Sequence, residues 1–340
     1  MKHRTQTRRD FIKTASLFAS AMVLPITLSA FKTIEYMKYT QEFDVIIVGG
    51  SYAGLSAGMI LGRSLRSVLI IDSGNPCNEQ TPHSHNFLTQ DGKTPKEISQ
   101  LATRQVLAYP TVKLLNDLVI SARKTEKGFE VSTNSITAIK AKKILFTTGV
   151  KDIMPNIKGF AECWGISVLH CPYCHGYEVA HKNLGLIANG DTAFELCTLI
   201  QHWSDKLTLF TNGKSELNEE QHQLIKKLEI KVIETKIAEL NHENGVLKSV
   251  VFVDGKRKNI DAVFSRVAFK QHCELPIQLG CDITDAGHIE VDFSQKTNIH
   301  GLFCAGDNAT PLRTVSLATS AGTKAGAFIN MELLTEALPK

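Results

Sequence analysis

The 340-residue chain lacks a surplus of either charge: 38 Lys+Arg stand against 34 Asp+Glu. The small basic excess lies in the first thirty residues, where Lys2, Arg4, Arg8, Arg9 and Lys13 face Asp10 alone. Past that point the two signs are equal in number, so nothing draws the body toward phosphate backbones or anionic lipid, and nucleic acid is not expected as a partner. Cysteines are few, eight in all, which excludes a disulfide framework and makes any pair at special spacing a matter needing its own explanation. Past the first thirty residues no apolar run reaches the eighteen or more residues a membrane span needs, so no stable span is expected. With 43% hydrophobic and 21% charged residues, the chain is neither disordered nor fibrous and is long enough for two cored domains.

The N-terminus reads Thr7-Arg8-Arg9-Asp10-Phe11-Ile12-Lys13, followed by an uncharged, moderately apolar run from Thr14 to Ala30 that Pro25 interrupts. A basic segment, a short apolar segment and a small-residue end make a secretory address, and the arginine pair with Phe11 and Lys13 resembles the twin-arginine signal. The alternative is an N-terminal anchor, for which the run is short. Residues 1–30 are expected to be such a signal, with cleavage after Ala30. The mature protein would be exported, periplasmic or extracytoplasmic, already folded around a tightly held group, in an oxidising compartment.

Phe43 to Val48 is a largely apolar, β-branched run of the kind that forms a strand buried on both faces of a parallel sheet. Gly49-Gly50-Ser51-Tyr52-Ala53-Gly54 follows at once and opens a small-residue helix to Leu65; a second buried strand, Ser67 to Asp72, ends in an acid. In a dinucleotide fingerprint the first glycine makes the tight turn, the second admits the pyrophosphate and the third lets helix pack on strand. Gly49, Ser51 and Gly54 take those places, and Asp72 that of the ribose-binding carboxylate; the alternative is tight packing alone. Thr94-Pro95-Lys96-Glu97 is a capping box opening a helix to about Tyr109. Between Val112 and Thr147 the alternating runs Asp117–Ala122, Gly128–Ser132 and Ile136–Ala141 suggest an antiparallel insertion, closed by a separate strand over 143–147. His83 and His85, in the polar segment 73–93, are read as loop polarity or as cofactor contacts.

The run His170-Cys171-Pro172-Tyr173-Cys174-His175-Gly176-Tyr177-Glu178 sets two cysteines at a spacing that lets both sulfurs project from one turn and close a small disulfide ring. A thiolate opening a helix is stabilised by the helix N-terminus and by a neighbouring imidazolium, here His170 or His175. Zinc is the alternative, but a structural zinc wants a second ligand pair at matching spacing. The other cysteines (Cys77, Cys163, Cys197, Cys273, Cys281, Cys304) are isolated and read as small core residues. No metal is expected.

With Gly301-Leu-Phe-Cys-Ala305-Gly306-Asp307 near the end, these motifs together resemble the low-molecular-weight bacterial thioredoxin reductases, from about Phe43 to the C-terminus. Thr147-Thr148-Gly149 resembles that family's crossover motif. The resemblance implies FAD, held by the first domain and by the returning C-terminal segment, with Asp307 on the ribityl chain and the helix that starts near Val315 and Ser316 at the flavin. It implies that Cys174 faces the flavin and Cys171 exchanges with substrate, that His175 replaces the family's proton-carrying Asp, and that the protein is a homodimer. The implied fold is α/β with two Rossmann-like three-layer domains. Residues 40–155 and 269–340 form a discontinuous FAD domain around an inserted NAD(P)-type domain, 156–268, that carries the cysteine pair.

The second nucleotide unit departs from the family pattern. Its turn reads Ala188-Asn189-Gly190-Asp191-Thr192-Ala193, with Ala188 in place of the first fingerprint glycine, and its strand end reads Phe210-Thr211-Asn212-Gly213-Lys214. The family's arginines for a 2′-phosphate are missing, leaving Lys214, and no acid is placed for a ribose hydroxyl. Gly190, Asp191, Thr192, Ala193 and Lys214 thus outline a weak nucleotide site, and NAD(P)H as a cofactor is doubtful. The His-Gly-Tyr-Glu run after the pair also resembles the branch containing dithiol oxidases of disulfide-bearing natural products such as gliotoxin and holomycin. Two expectations stand side by side: oxidation of a small-molecule dithiol, with oxygen or another acceptor, and NAD(P)H-driven reduction of a thioredoxin-like protein. A flavin-binding sensor or scaffold without turnover is a third.

Overall fold

The computed structural model describes residues 42–339; the signal expected at 1–30 lies outside them. The chain starts with β1 (Phe43–Val48), α1 (Tyr52–Arg63), β2 (Val68–Asp72), α2 (Pro95–Leu107) and β3 (Val112–Asn116). β4 (Val119–Thr125), β5 (Gly128–Thr133) and β6 (Ile139–Phe146) follow, and then β7 (Val150–Ile153). β1, β2, β3 and β6 pair in parallel in the order β3-β2-β1-β6, with β5 and β4 continuing antiparallel beyond β6. Alternation puts Ile46, Val48, Leu69 and Ile71 in one core, and Val45, Ile47, Val68 and Ile70 in another on the opposite face. That is why these strands read as unbroken apolar runs. The capping box forms as expected, Thr94 Oγ1 accepting from the Glu97 N–H at 3.2 Å and Glu97 from the Thr94 N–H at 2.9 Å. One expectation is corrected. The runs 136–141 and 143–147 are not separate strands, because β6 runs unbroken from Ile139 to Phe146, pairing with β5 over 139–141 and with β1 from Ala141 to Phe146.

The second sheet is built from α3 (Phe160–Cys163), β8 (Val168–Leu169), α4 (Pro172–His175), β9 (Leu184–Ile187), α5 (Gly190–Ile200), β10 (Leu207–Phe210), α6 (Glu219–Lys227) and β11 (Lys231–Ile233). It continues through β12 (Ile237–Glu243), β13 (Val246–Phe252), β14 (Arg257–Asn259) and β15 (Ala262–Ser265). Its parallel order is β11-β10-β9-β15-β8. α5 and α6 cover one face, and the antiparallel sheet β12-β13-β14 packs on the other through Leu240, Val250 and Phe252. The chain returns through β16 (Ala268–Gln271), which pairs antiparallel with β7, and continues with α7 (Leu275–Gln278), β17 (Leu302–Cys304) and α8 (Val315–Glu336). β17 pairs with the second half of β6, completing the first sheet. α8 lies against α1 at backbone distance, since a Cβ on Gly322 would strike the Ala53 carbonyl.

One buried cation ties β6 to α8. Lys143, its side chain 3% exposed, donates to Glu332 and Glu336, each at 2.6 Å, while Lys296 holds the second Glu332 oxygen at 2.6 Å. His300 lies beside both carboxylates at 3.6 and 3.1 Å. Two lysines already balance the two carboxylates, which leaves this cluster no call for a metal. Burial raises the Glu332 pKa and is outweighed by the two lysines, which hold it below the ordinary 4.5. The pairing therefore stabilises the fold fully above about pH 4.5 and is lost as pH falls through the depressed value. Lys143→Met is expected to cost about 3 kcal/mol, the lower end for a broken buried pair because Lys296 remains. Thermal unfolding as a function of pH checks this: the deficit should shrink below pH ~4.5, where the wild type loses the same contribution.

Candidate active site

A cavity of about 770 Å³ opens where the C-terminal ends of β1, β2 and β6 meet the segments 73–85, 306–318 and α4. Gly49 turns the chain with φ +105°, and a side chain there would meet the Thr147 carbonyl oxygen at 2.5 Å. A Cβ on Gly54 would strike the Gly49 carbonyl, so Gly54 sets the seating of α1 and does not itself line the cavity. Ser51 stands at the N-cap of α1 without making a side-chain cap, leaving that helix end for an anion. Asp72 faces the cavity and accepts from the Gly50 N–H at 2.9 Å. Thr148 and Gly149 line the wall; the Thr148 hydroxyl is buried with no partner, and nothing lies within 4 Å of where a Gly149 side chain would start. A glycine cradle, an uncapped helix end, an orphaned buried hydroxyl and a cavity of cofactor size fit FAD.

Gly306, Asp307 and Val315 close the far wall. Ser316 does not line it; its hydroxyl shares a hydrogen bond with Thr314 Oγ1 at 3.2 Å. Arg313, which no spacing pattern singled out, binds Asp152 through two nitrogens at 2.6 and 3.1 Å and reaches Asp307 at 3.5 Å. Burial raises the Asp307 carboxyl pKa, and Arg313 opposes that. The pair Arg313–Asp152 fastens β7 to the C-terminal segment, so the cavity's two halves share one charged clamp. Cys77 is not a core residue as expected from sequence: it is exposed on the 73–93 loop and lines the cavity.

Cys171 and Cys174 are joined as a disulfide on the wall of this same cavity, their Cα atoms 5.3 Å apart. The pair opens α4 as expected: Cys171 is the N-cap, its sulfur accepting from the Cys174 N–H at 3.2 Å, and Pro172 holds the first helical position. The Gly176 that follows is required by packing, since a Cβ there would lie 2.6 Å from the Trp203 indole. The expected imidazolium beside the pair is corrected. Burial pushes His170 down to about 4 and also lowers His175, so both rings are neutral at pH 7. A neutral imidazole at His175 offers the cavity a free proton-accepting nitrogen rather than a cation. His170 Nδ1 is buried without a partner on the cavity wall.

His85 reaches the cavity and His83 does not; His83 Nδ1 lies 2.9 Å from the Gly92 carbonyl. Gly190, Asp191, Thr192, Ala193 and Lys214 stand apart from the cavity, around the start of α5. There the Asn189 side chain bonds across the turn, donating to the Lys214 carbonyl at 2.9 Å and accepting from the Gly190 and Glu216 N–H groups at 3.0 and 2.9 Å. Gln221 holds Asp191 at 2.8 Å.

Gly49→Val tests the cradle: the substitution forces a branched side chain into a left-handed turn and onto the Thr147 carbonyl. The purified variant is expected to unfold cooperatively but to carry little flavin, read as lost absorbance near ~450 nm relative to protein.

A family model described as pyridine nucleotide-disulphide oxidoreductase matches residues 43–325. The thioredoxin reductase tcpT of Claviceps purpurea is 30% identical over 311 residues, covering 88% of this chain and 97% of its own. The thioredoxin reductase sirT of Leptosphaeria maculans is 30% identical, covering 86% of this chain and 94% of its own. The crystal structure of an oxidoreductase from Agrobacterium tumefaciens superposes with a TM-score of 0.82 at 36% identity, over 87% of this chain and 99% of that one. The chain belongs to the pyridine nucleotide-disulphide oxidoreductase family, as an FAD-dependent disulfide oxidoreductase of thioredoxin reductase type.

Proposed function

We propose that the enzyme runs toward oxidation: a small dithiol is converted to its disulfide at Cys171–Cys174, without a nicotinamide donor. The observation that carries this reading is the disulfide seated on the wall of the flavin-type cavity, together with the second nucleotide turn being tied up by its own side chains. At that turn the Gly190 N–H, which would otherwise face a pyrophosphate, is spent on Asn189, and the Glu216 carboxylate lies 3.6 Å from where a Gly190 side chain would start. A carboxylate beside the phosphate position repels the ligand that several missing arginines would have to attract. The N-terminal arginine pair, read as an export signal to an oxidising compartment, favours the same direction. On the same footing we propose export by the twin-arginine route and a homodimer.

A substrate thiol attacks Cys171, the sulfur to which the family resemblance gives the exchange, and the second substrate thiol resolves the mixed disulfide. His175, neutral and half-buried beside the pair, takes up a proton as the thiol attacks. When bound, FAD supplies an acceptor for the electron pair left on the cysteines, which oxygen or another acceptor finally takes. The geometry also accommodates the opposite traffic, reduction of a thioredoxin-like protein, which would require nicotinamide to bind at the Asn189 turn.

The test is anaerobic: the FAD-loaded protein is mixed separately with NADPH, NADH and dithiothreitol while the flavin absorbance is followed. Bleaching by dithiothreitol alone, abolished in Cys174→Ser and reversed by air, is the expected result; rapid bleaching by either nucleotide would overturn the oxidase reading. His175→Asn is expected to slow opening of the disulfide by about 10² or more at neutral pH. Because burial lowers the His175 pKa, the wild-type rate contribution from this base should persist down through pH 6.5 and fall only below it. A pH profile of the wild type and the variant checks the sign.

A further inference from the structure

Oxidising a dithiol releases two protons, and His175 as a single neutral imidazole takes one. The structure places a second imidazole next to it. His85, brought in by the 73–93 loop, stands edge-on to His175 with ring centroids 6.5 Å apart, and both line the cavity. Its two ring nitrogens each face a carboxylate: Nε2 lies 3.4 Å from Glu178 Oε1 and Nδ1 lies 3.7 Å from Asp91 Oδ1. The His83 ring is 6.4 Å away on the same loop. Exposure rises along this line, the His85 side chain being 21% exposed and that of Asp91 67%. Glu178 lies in the short turn that follows the cysteine helix, three residues past His175, so the loop meets the cysteine segment through His85 at both His175 and Glu178.

We propose that His85 is the second stop of a proton-exit path, receiving the proton from His175 and releasing it to solvent past Asp91, with Glu178 holding its ring in place. The proposal rests on the reading of His175 as the base in thiol-disulfide exchange. One substrate dithiol and the Cys171–Cys174 disulfide become one substrate disulfide and two cysteine thiolates. The Cys171–Cys174 bond breaks, the substrate sulfur–sulfur bond forms, the electron pair stays on the two cysteines, and the two protons leave. The first proton sits on His175 and moves on to His85, and the second then finds His175 empty. Four groups face His85: Glu178 from the cysteine segment, His175 from α4, and His83 and Asp91 from its own loop. Burial disfavours a lasting charge on His175, and the two carboxylates lie on the His85 side, the outer one exposed to solvent. Acting through His175, His85 is a positioning and relay residue.

The FAD-loaded full chain is mixed anaerobically with dithiothreitol at pH 6.5 and pH 9. Opening of the disulfide is read by quenched alkylation and mass, and the flavin absorbance is followed in the same mixture. His85→Gln is expected to open about tenfold more slowly at pH 6.5, a fraction of what loss of a full general base costs, and within about twofold of the wild type at pH 9, where the substrate thiols ionise unaided. Added imidazole should restore His85→Ala at pH 6.5. An unchanged rate, or a loss equal at both pH values and not restored by imidazole, overturns the proposal. Should His85→Gln fail to load flavin, Asp91→Asn decides: Asp91 Oδ1 also accepts from the Asn86 N–H at 2.7 Å, a bond the amide keeps, and a smaller slowing confined to pH 6.5 is expected. A uniform or absent effect in that variant counts against the path. If the wild type opens its disulfide while its flavin stays oxidised, the dithiol-oxidase reading fails, yet the His85 comparison still stands on the exchange rates.

Discussion

Thr147 donates its hydroxyl to the Gly49 carbonyl at 2.7 Å and its backbone N–H to the Val48 carbonyl at 2.8 Å, and the cavity exists because nothing holds those two strand ends apart. A Cβ on either Gly49 or Gly54 would enter this contact. With both absent, β1 and β6 end together, α1 starts against them, and its uncapped N-terminus faces the space they leave. α8 then closes on α1 by the same device, Gly322 lying against the Ala53 backbone. The small residues that look like a weak phosphate motif are first a packing solution, and the anion-binding helix end is its by-product.

This explains what was legible in the sequence. Strands buried on both faces and glycine turns leave local signatures, so β1, α1, β2 and the α2 capping box stand where the residues place them. Cys-x-x-Cys with Pro between is equally local, and the structure closes it as a disulfide. The β6 error has a physical source: Ala141 and Lys143 look like a boundary because a charge interrupts the apolar run, whereas Lys143 is buried and neutralised by α8, nearly two hundred residues later. A side chain's partner at that separation leaves no trace in its neighbourhood.

The same limit governs the site's electrostatics. Reading an imidazolium beside the cysteines assumes that His170 and His175 sit in water. Burial decides otherwise and lowers both, removing the expected thiolate-stabilising charge. Arg313, a cation that does lie on the cavity wall, is committed to Asp152 and Asp307 rather than to the sulfurs. Cys77 reads as core, wrongly, and His85 as either loop polarity or a cofactor contact for a related reason, since the sequence of a polar loop does not say which neighbour it folds against. Contacts such as Asn78 with Tyr52 and His85 with His175 and Glu178 give that loop its direction.

A second sheet whose nucleotide turn is occupied by its own side chains still has work to do. Cys171 follows β8, a strand of two residues at the edge of that sheet, held by β15 through Val168 and Leu169. β15 in turn lies between β8 and β9, the strand that ends at the altered turn. The β7–β16 ribbon brings this whole unit out of the first sheet and back to it, and the Arg313–Asp152 pair pins the ribbon to the cavity wall. Delivering the disulfide therefore depends on the sheet's order, not on its turn. The strands can be kept by the demands of placing Cys171 and Cys174 while the Asn189 turn is free to lose its ligand. That separation of support from binding is how one fold can change the direction of electron flow without rebuilding its core.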